Sequence, residues 1–420
     1  MSVDKNSLVN PGDLLAAVRT IYGPDCKVLG WDVKQGTETV QGYASLMLRA
    51  KVKVKTRHGG VTEVNLMVKR QPTVSAQREM IESFGNIIAR EGTFFSSILP
   101  RLQENSPNLP IVRALVAYKD AMVMEDLCDA GFQTIPKTMQ DIGRGKVLTF
   151  PLARMCVRKL AKIHAASANE KWTKIMPVEY FDVDPMMDSK NAEQFQLFIG
   201  MTVQSIIIPL MKKMFLHTPS IDKFVEYLSS PLLLSKAIDS IKFDTKKGPN
   251  VLVHGDCHLN NMMFKLDDNG NPIDMRFIDF QLARYGQATT DLVYFLYTSA
   301  GKEFREKYEI DLIRAYVEAF NSELCVTPDL IDFDNFWKSY EKARYYGLVI
   351  ALGIRPMQFL PAFAAPSDGE LTEEFFDMDR IANIPVLAAA AYENDELFKE
   401  EMDGLIPHAM AVMNEYVFVE

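Results

Sequence analysis

The chain has 420 residues, enough for two packed bodies or one large two-lobed body, and its 48% apolar and 24% charged residues are ordinary for a water-soluble protein. A formal net charge of −9 argues against a broad nucleic-acid footprint, because phosphate backbones demand clustered Lys and Arg. No signal-like apolar core occupies residues 1–9, no apolar run nears the roughly 20 residues of a bilayer span, and five scattered cysteines (Cys26, Cys128, Cys156, Cys257, Cys325) form neither CxxC pairs nor a disulfide framework, so a cytoplasmic protein is expected.

Strand signals come first. Across Ser45–Lys55, Leu46, Leu48, Ala50, Val52 and Val54 alternate with Met47, Arg49, Lys51, Lys53 and Lys55, the pattern of a half-buried strand. His58-Gly59-Gly60 supplies a turn and Val61–Lys69 returns as a second strand. A helix is predicted over Ala76–Leu99, closed by Pro100, followed by a hairpin of Ile111–Ala117 and Ala121–Met124. After Asp126 the periodicity turns helical over Pro151–Ser167, Phe195–Phe215, Ile221–Ser229 and Glu303–Leu324. One strand pair interrupts these helices, Met262–Leu266 and Met275–Ile278, joined by Asp267–Asn271. Sheet first and helices later predict an α+β fold with a β-rich N-lobe (1–125) and a mainly helical C-lobe (126–420).

The chemistry concentrates in Val251–Phe264, VLVHGDCHLNNMMF, and Phe277–Leu282, FIDFQL. An Asp, an Asn five residues on, and a second Asp after the next strand are what phosphoryl transfer requires. Asp256 would accept or orient the proton of an attacking hydroxyl, while Asn261 and Asp279 would hold Mg²⁺ bridging nucleotide phosphates. The competing reading is a pair of loops whose Asp and Asn merely cap backbone amides. The five-residue offset, with Ile278-Asp279-Phe280 following a strand, argues against it.

His254-Gly255-Asp256 with Asn261 resembles the catalytic loop of aminoglycoside and choline phosphotransferases. Ile278-Asp279-Phe280-Gln281, followed by Asp291-Leu292-Val293-Tyr294-Phe295-Leu296, resembles more narrowly the ecdysteroid kinase-like family. The resemblance covers roughly residues 30–360 and implies a two-lobed protein-kinase-like fold working with ATP and Mg²⁺ on a small-molecule alcohol, with no protein or nucleic-acid substrate and no membrane partner. It implies that Lys69 neutralises the nucleotide α/β-phosphates and that Glu91 pairs with Lys69. Glu125, Asp126 and Leu127 would form the hinge whose backbone meets adenine, with nucleotide clamped there, and Gly42 would lie in a phosphate-covering loop over Gly36–Ser45. His258 stands where many relatives carry tryptophan, and substrate contact, a hydrogen bond and plain packing all stay open for it. Asp291 is expected to brace the catalytic loop, and His164 and His254 to make core hydrogen bonds.

Only ten residues separate Phe280 from Asp291, too few for a peptide-docking activation segment. The chain has no P-loop, no H-E-x-x-H zinc pattern, and no calcium loop with its glycine and glutamate at the right offsets. The acceptor is less legible. Trp337, Tyr340, Tyr345 and His258 are candidates for an aromatic acceptor pocket, though aromatic residues at helical spacing also make plain core. The family resemblance implies a steroid such as an ecdysteroid. The alternative is a cationic acceptor of the choline, ethanolamine or aminoglycoside type, held by the acidic run Asp368, Glu370, Glu373, Glu374, Asp377 and Asp379. A nucleotide-binding pseudokinase is a third reading. The presence of Lys69, Glu91, Asp256, Asn261 and Asp279 speaks against it.

Overall fold

The computed structural model describes residues 5–36, 45–73, 75, 78–79, 82, 87–118, 121–136, 139–143, 147–168, 199–242, 249–324, 331–360 and 382–417. Along the chain the strands are β1 (Lys27–Gln35), β2 (Leu46–Lys55), β3 (Val61–Arg70), β4 (Ala114–Ala117), β5 (Ala121–Glu125), β6 (Phe132–Gln133), β7 (Asn250–Val253), β8 (Met262–Leu266), β9 (Pro272–Phe277) and β10 (Arg284–Gln287). The main helices are α1 (Pro11–Tyr22), α2 (Ile87–Thr93), α3 (Leu99–Asn105), α4 (Phe150–Ser167), α5 (Ile208–Met214) and α6 (Ile221–Ser229). They continue as α7 (Leu232–Ile241), α8 (Thr289–Ser299), α9 (Lys302–Glu323), α10 (Phe333–Ile354), α11 (Ile384–Asn394) and α12 (Glu396–Val417). The fold is α+β. It divides into two compact units, one drawn from Met1–Thr134 and Met262–Gln281, the other from Ile135–Asn261, Leu282–Ala364 and Phe376–Glu420.

In the first unit an antiparallel sheet runs in the order β1-β2-β3-β5-β4. The alternation read in β2 is the one that packs: Leu48, Ala50, Val52 and Val54 are buried with Leu66 and Val68 of β3. Leu14, Ala17 and Val18 of α1 close this core, and α1 itself starts where the Asn10 side chain accepts the Gly12 N–H. Gly59, at φ 82°, lets the β2–β3 turn close. A second sheet, β6-β8-β9, carries the later hairpin, whose tip is held by Asp267 accepting the amides of Asn269 and Asn271.

The helix predicted to close at Pro100 does not. α2 passes through a π-turn, Phe94–Ile98, into α3, which runs on to Asn105; much of the predicted first half lies outside the described residues. The Leu99 N–H bonds the Phe94 carbonyl five residues back, and this wider turn relieves the clash a proline ring makes with an α-helical carbonyl. The same device precedes Pro209, where a π-turn over Val203–Ile207 leads into α5. Ile111 is likewise outside the strand predicted for it; it makes an isolated parallel bridge to Phe277 instead.

The second unit is helical apart from the antiparallel pair β7 and β10. α9 packs along α4, and α10 along α7 and α8. All of α8 is buried, which makes it a fixed reference for the loop that follows β7. Among the described residues no helix is long and apolar enough to cross a membrane.

Candidate active site

Strand β3 delivers Lys69 next to Met47 of β2 and Met122 of β5, on the face opposite the apolar core. The lysine is only 3% exposed. Its Nζ lies 2.6 Å from Glu91 Oε2 and 2.8 Å from Asp279 Oδ1, so the pairing expected between Lys69 and Glu91 is present and Asp279 joins it. Burial alone would push the ammonium down, but Asp279 and then Glu91 reverse this and hold it above its ordinary range. Burial pushes the Glu91 carboxyl up against the pull of Lys69. One ammonium serves both carboxyl groups.

The backbone fixes both acids. Glu91 Oε1 accepts the Phe280 amide at 3.0 Å, clamping the residue after Asp279. The Phe280 ring stacks on Phe94 with centroids 4.2 Å apart and meets Phe95 edge-on. Asp279 itself sits at φ 65°, the one non-glycine positive φ among the described residues. Such a conformation persists only where surrounding contacts impose it. Its Oδ1 is spent on Lys69, leaving Oδ2 as the oxygen for a cation.

The residues expected to form a hinge are held by longer-range partners. The Asp126 carboxylate takes the Arg49 guanidinium, 77 residues earlier, at 2.5 Å and caps the Cys128 amide. Glu125 accepts the Arg113 amide, and Leu127 is buried. The side chains of Glu125 and Asp126 therefore serve structure. Gly42 and the acidic run of residues 368–379 lie outside the described residues.

In the helical unit, β7 ends at Val253 and the next residues turn sharply at Gly255, φ 84°. A Cβ on Gly255 would stand 2.1 Å from the Leu282 carbonyl oxygen, which leaves glycine as the only fit. Asp291, fully buried on α8, accepts the His254 amide at 2.6 Å and the Gly255 amide at 2.9 Å. His164 of α4 bonds the same carboxylate through Nε2 at 3.1 Å, while its Nδ1 meets the Tyr316 hydroxyl. Burial opposes ionisation of Asp291, but His164, His254 and the loop amides outweigh it and hold the carboxyl low. Asp291 braces the loop, as its place after the motif suggested.

Asp256 then points into a set of donors. Asn261 Nδ2 donates to its Oδ2 at 3.0 Å and to its main-chain carbonyl at 2.9 Å, Tyr294 Oη donates to its Oδ1 at 2.7 Å, and His258 Nε2 lies 3.3 Å from that same oxygen. Burial works against the charge on Asp256, but His258, Tyr294 and His254 overcome it and keep the carboxyl below its usual range. Because Asn261 spends its amide nitrogen on Asp256, its amide oxygen is the atom left for a metal. An amide oxygen and a carboxylate oxygen are each the kind of donor that suits Mg²⁺.

The model of the ecdysteroid kinase-like family matches residues 39–326, more than half of the chain. The chain belongs to the ecdysteroid kinase-like family. Among solved structures, this family member is similar to the choline kinase of Cryptosporidium parvum Iowa II, with TM-score 0.44 and 12% identity over 97% of this chain and 99% of that one. It is also similar to a variant of aminoglycoside 2′-phosphotransferase-IIIa in complex with GDP (TM-score 0.40, 12% identity, 97% and 100% covered). A third likeness is to the choline kinase LicA of Streptococcus pneumoniae (TM-score 0.35, 12% identity, 87% and 94% covered). No curated protein sequence matches the chain.

The aromatic residues expected around an acceptor are placed differently in this ecdysteroid kinase-like chain. Tyr340 and Tyr345 are at most 1% exposed; the first donates to Glu309 at 2.6 Å and the second shares a hydrogen with Tyr227 at 2.6 Å. Trp337 stacks on Phe333 and Tyr340 under the Arg344 guanidinium. Helical spacing made core here, and Tyr340 and Tyr345 are packed inside the helical unit. His258 alone of the four stands beside Asp256. The residue that sequence reading passed over is Tyr294. Its signal was its position one helical turn after Asp291.

Proposed function

We propose that the chain is an ATP- and magnesium-dependent kinase that transfers the γ-phosphate to a hydroxyl of an apolar small molecule of the steroid class. The observation that carries this reading is Lys69, a buried strand lysine bonded at once to Glu91 and to Asp279. A cation costs several kcal/mol to bury and holds its place here with two acids. That arrangement suits a lysine that turns to nucleotide phosphates when a metal engages Asp279.

Magnesium, held by Asp279 and the Asn261 amide oxygen, would supply charge neutralisation on the phosphates. Lys69 would neutralise further phosphate charge, kept in place by Glu91. Asp256, ionised and fixed through both oxygens, would orient the acceptor hydroxyl and receive its proton. Backbone groups of Glu125–Leu127 would meet the adenine edge, and Gly42 would serve in the loop over the phosphates. Membership in the ecdysteroid kinase-like family supports a steroid alcohol as the acceptor class.

The test is a transfer screen with γ-labelled ATP against steroids, choline, ethanolamine, amino alcohols and aminoglycosides. Labelled steroid with unlabelled choline is the expected result. Choline turnover without steroid turnover would move the chain to a cationic acceptor. ATP binding without transfer to any member would favour the pseudokinase.

A further inference from the structure

We propose that Tyr294 is a positioning residue for the transfer step: its hydroxyl fixes the plane of the Asp256 carboxylate against the incoming acceptor hydroxyl. This rests on the kinase reading above. Asp291 and Tyr294 stand three residues apart on α8 and therefore on one face of it. From that face Asp291 holds the loop backbone through the His254 and Gly255 amides, and Tyr294 holds the loop side chain through Asp256 Oδ1. One buried helix thus gauges the catalytic loop at two points.

An ionised carboxylate only accepts hydrogen bonds, so the tyrosine is the donor, and at 2.7 Å the bond is charge-assisted. The terminal torsion of an aspartate is broad and roughly two-fold, and one donor leaves it free to swing. Here Asn261 holds Oδ2 and Tyr294 holds Oδ1, which defines the carboxylate plane. The tyrosine is itself fixed: the residue is 7% exposed and its ring stacks with His258, centroids 6.3 Å apart and planes 25° apart. Phosphoryl transfer asks little covalent chemistry of the protein, and rate comes mainly from placement. A donor whose whole effect is placement should therefore act on turnover and leave nucleotide binding alone.

The test is a double-mutant cycle of Tyr294→Phe and Asp256→Asn, read as phosphate transfer from γ-labelled ATP to ecdysone and, in the same tubes, as phosphate release to water. Tyr294→Phe keeps the ring and is expected to lower turnover about 10–100-fold, the scale of a small misplacement, with Mg·ATP affinity by calorimetry unchanged. In the Asp256→Asn background the same change is expected to cost nothing further, because the tyrosine acts through that carboxylate. Turnover at the parent level in Tyr294→Phe, or losses that add in the double variant, overturn the positioning role. An Asp256→Asn variant with parent-level turnover overturns the kinase assignment of the loop, and the positioning role with it.

Discussion

Each unit holds one carboxylate of the expected set, and the molecule treats the two in opposite ways. Asp279, in the β-rich unit, is bound to a cation: Lys69 holds it at 2.8 Å while also holding Glu91. Asp256, in the helical unit, has no ammonium or guanidinium partner among the described residues and is held by a hydroxyl, an amide and a histidine ring. The ionic trio is a matter of charge balance, so removing a member leaves an uncompensated charge indoors. In the proposed reaction the hydrogen-bonded carboxylate would be a matter of aim, so removing its charge is expected to cost rate far more than stability.

Asp256→Asn breaks this comparison hardest. Turnover is expected to fall about 10²–10⁴-fold, the range for losing a positioned general base, while Mg·ATP still binds by calorimetry. Asp279→Ala is expected to weaken Mg·ATP binding and turnover together, since that oxygen would hold the ion. Equal nucleotide affinity in the two variants would erase the distinction drawn between the carboxylates.

Lys69→Met moves the other quantity. The buried Glu91 and the half-buried Asp279 lose their shared cation, and urea unfolding is expected to show a loss of about 3–5 kcal/mol. Adding Glu91→Leu should return part of it by removing one of the stranded charges. If Lys69→Met left stability untouched, the trio would not be the charge-balanced unit described. A smaller loss, about 1–3 kcal/mol of backbone strain, is expected from Gly255→Ala, with turnover falling because the loop must shift off the Leu282 carbonyl.

The smallest effect concerns acid. Burial, then the charges of Arg305, Arg344 and Lys302, lower the His408 pKa from 6.5 to about 4. The unfolded chain then binds the proton more readily between those values, so stability falls as pH drops through that window. Asp256 and Asp291, both held low in the folded chain, add a loss of the same sign only below roughly pH 5, where the unfolded carboxylates begin to take up protons. His408→Gln should flatten the pH dependence of the urea midpoint between 6.5 and 4; an unchanged slope would assign it elsewhere.

What the sequence made legible was local. The alternation of β2, the hairpin carrying Asp279, and the spacing from Asp256 to Asn261 each span a few residues and obey one periodicity. Partners brought in from afar were not legible: Arg49 to Asp126, Tyr294 to Asp256, His164 to Tyr316. Pro100 misled for a related reason, since a proline stops an α-helix but not one whose preceding turn has widened. Helical spacing alone did not say which rings of Trp337, Tyr340 and Tyr345 face a ligand and which pack on neighbouring helices, as Tyr340 does on α9 and Tyr345 on α6 and α7.

That widened turn has a further consequence for Glu91. A π-turn amounts to one extra residue threaded into a helix, and each residue advances the helical phase by about 100°. Phe94–Ile98 therefore acts as a phase shifter between α2 and α3: the packing of α3 fixes one end, and the extra residue decides which compass direction Glu91 faces at the other. Deleting a single residue there would restore regular winding and swing Glu91 about a quarter-turn away from Lys69. The ion pair on which nucleotide phosphate chemistry would depend is thus timed by a counting irregularity that begins three residues downstream, in a stretch that bears no charge at all.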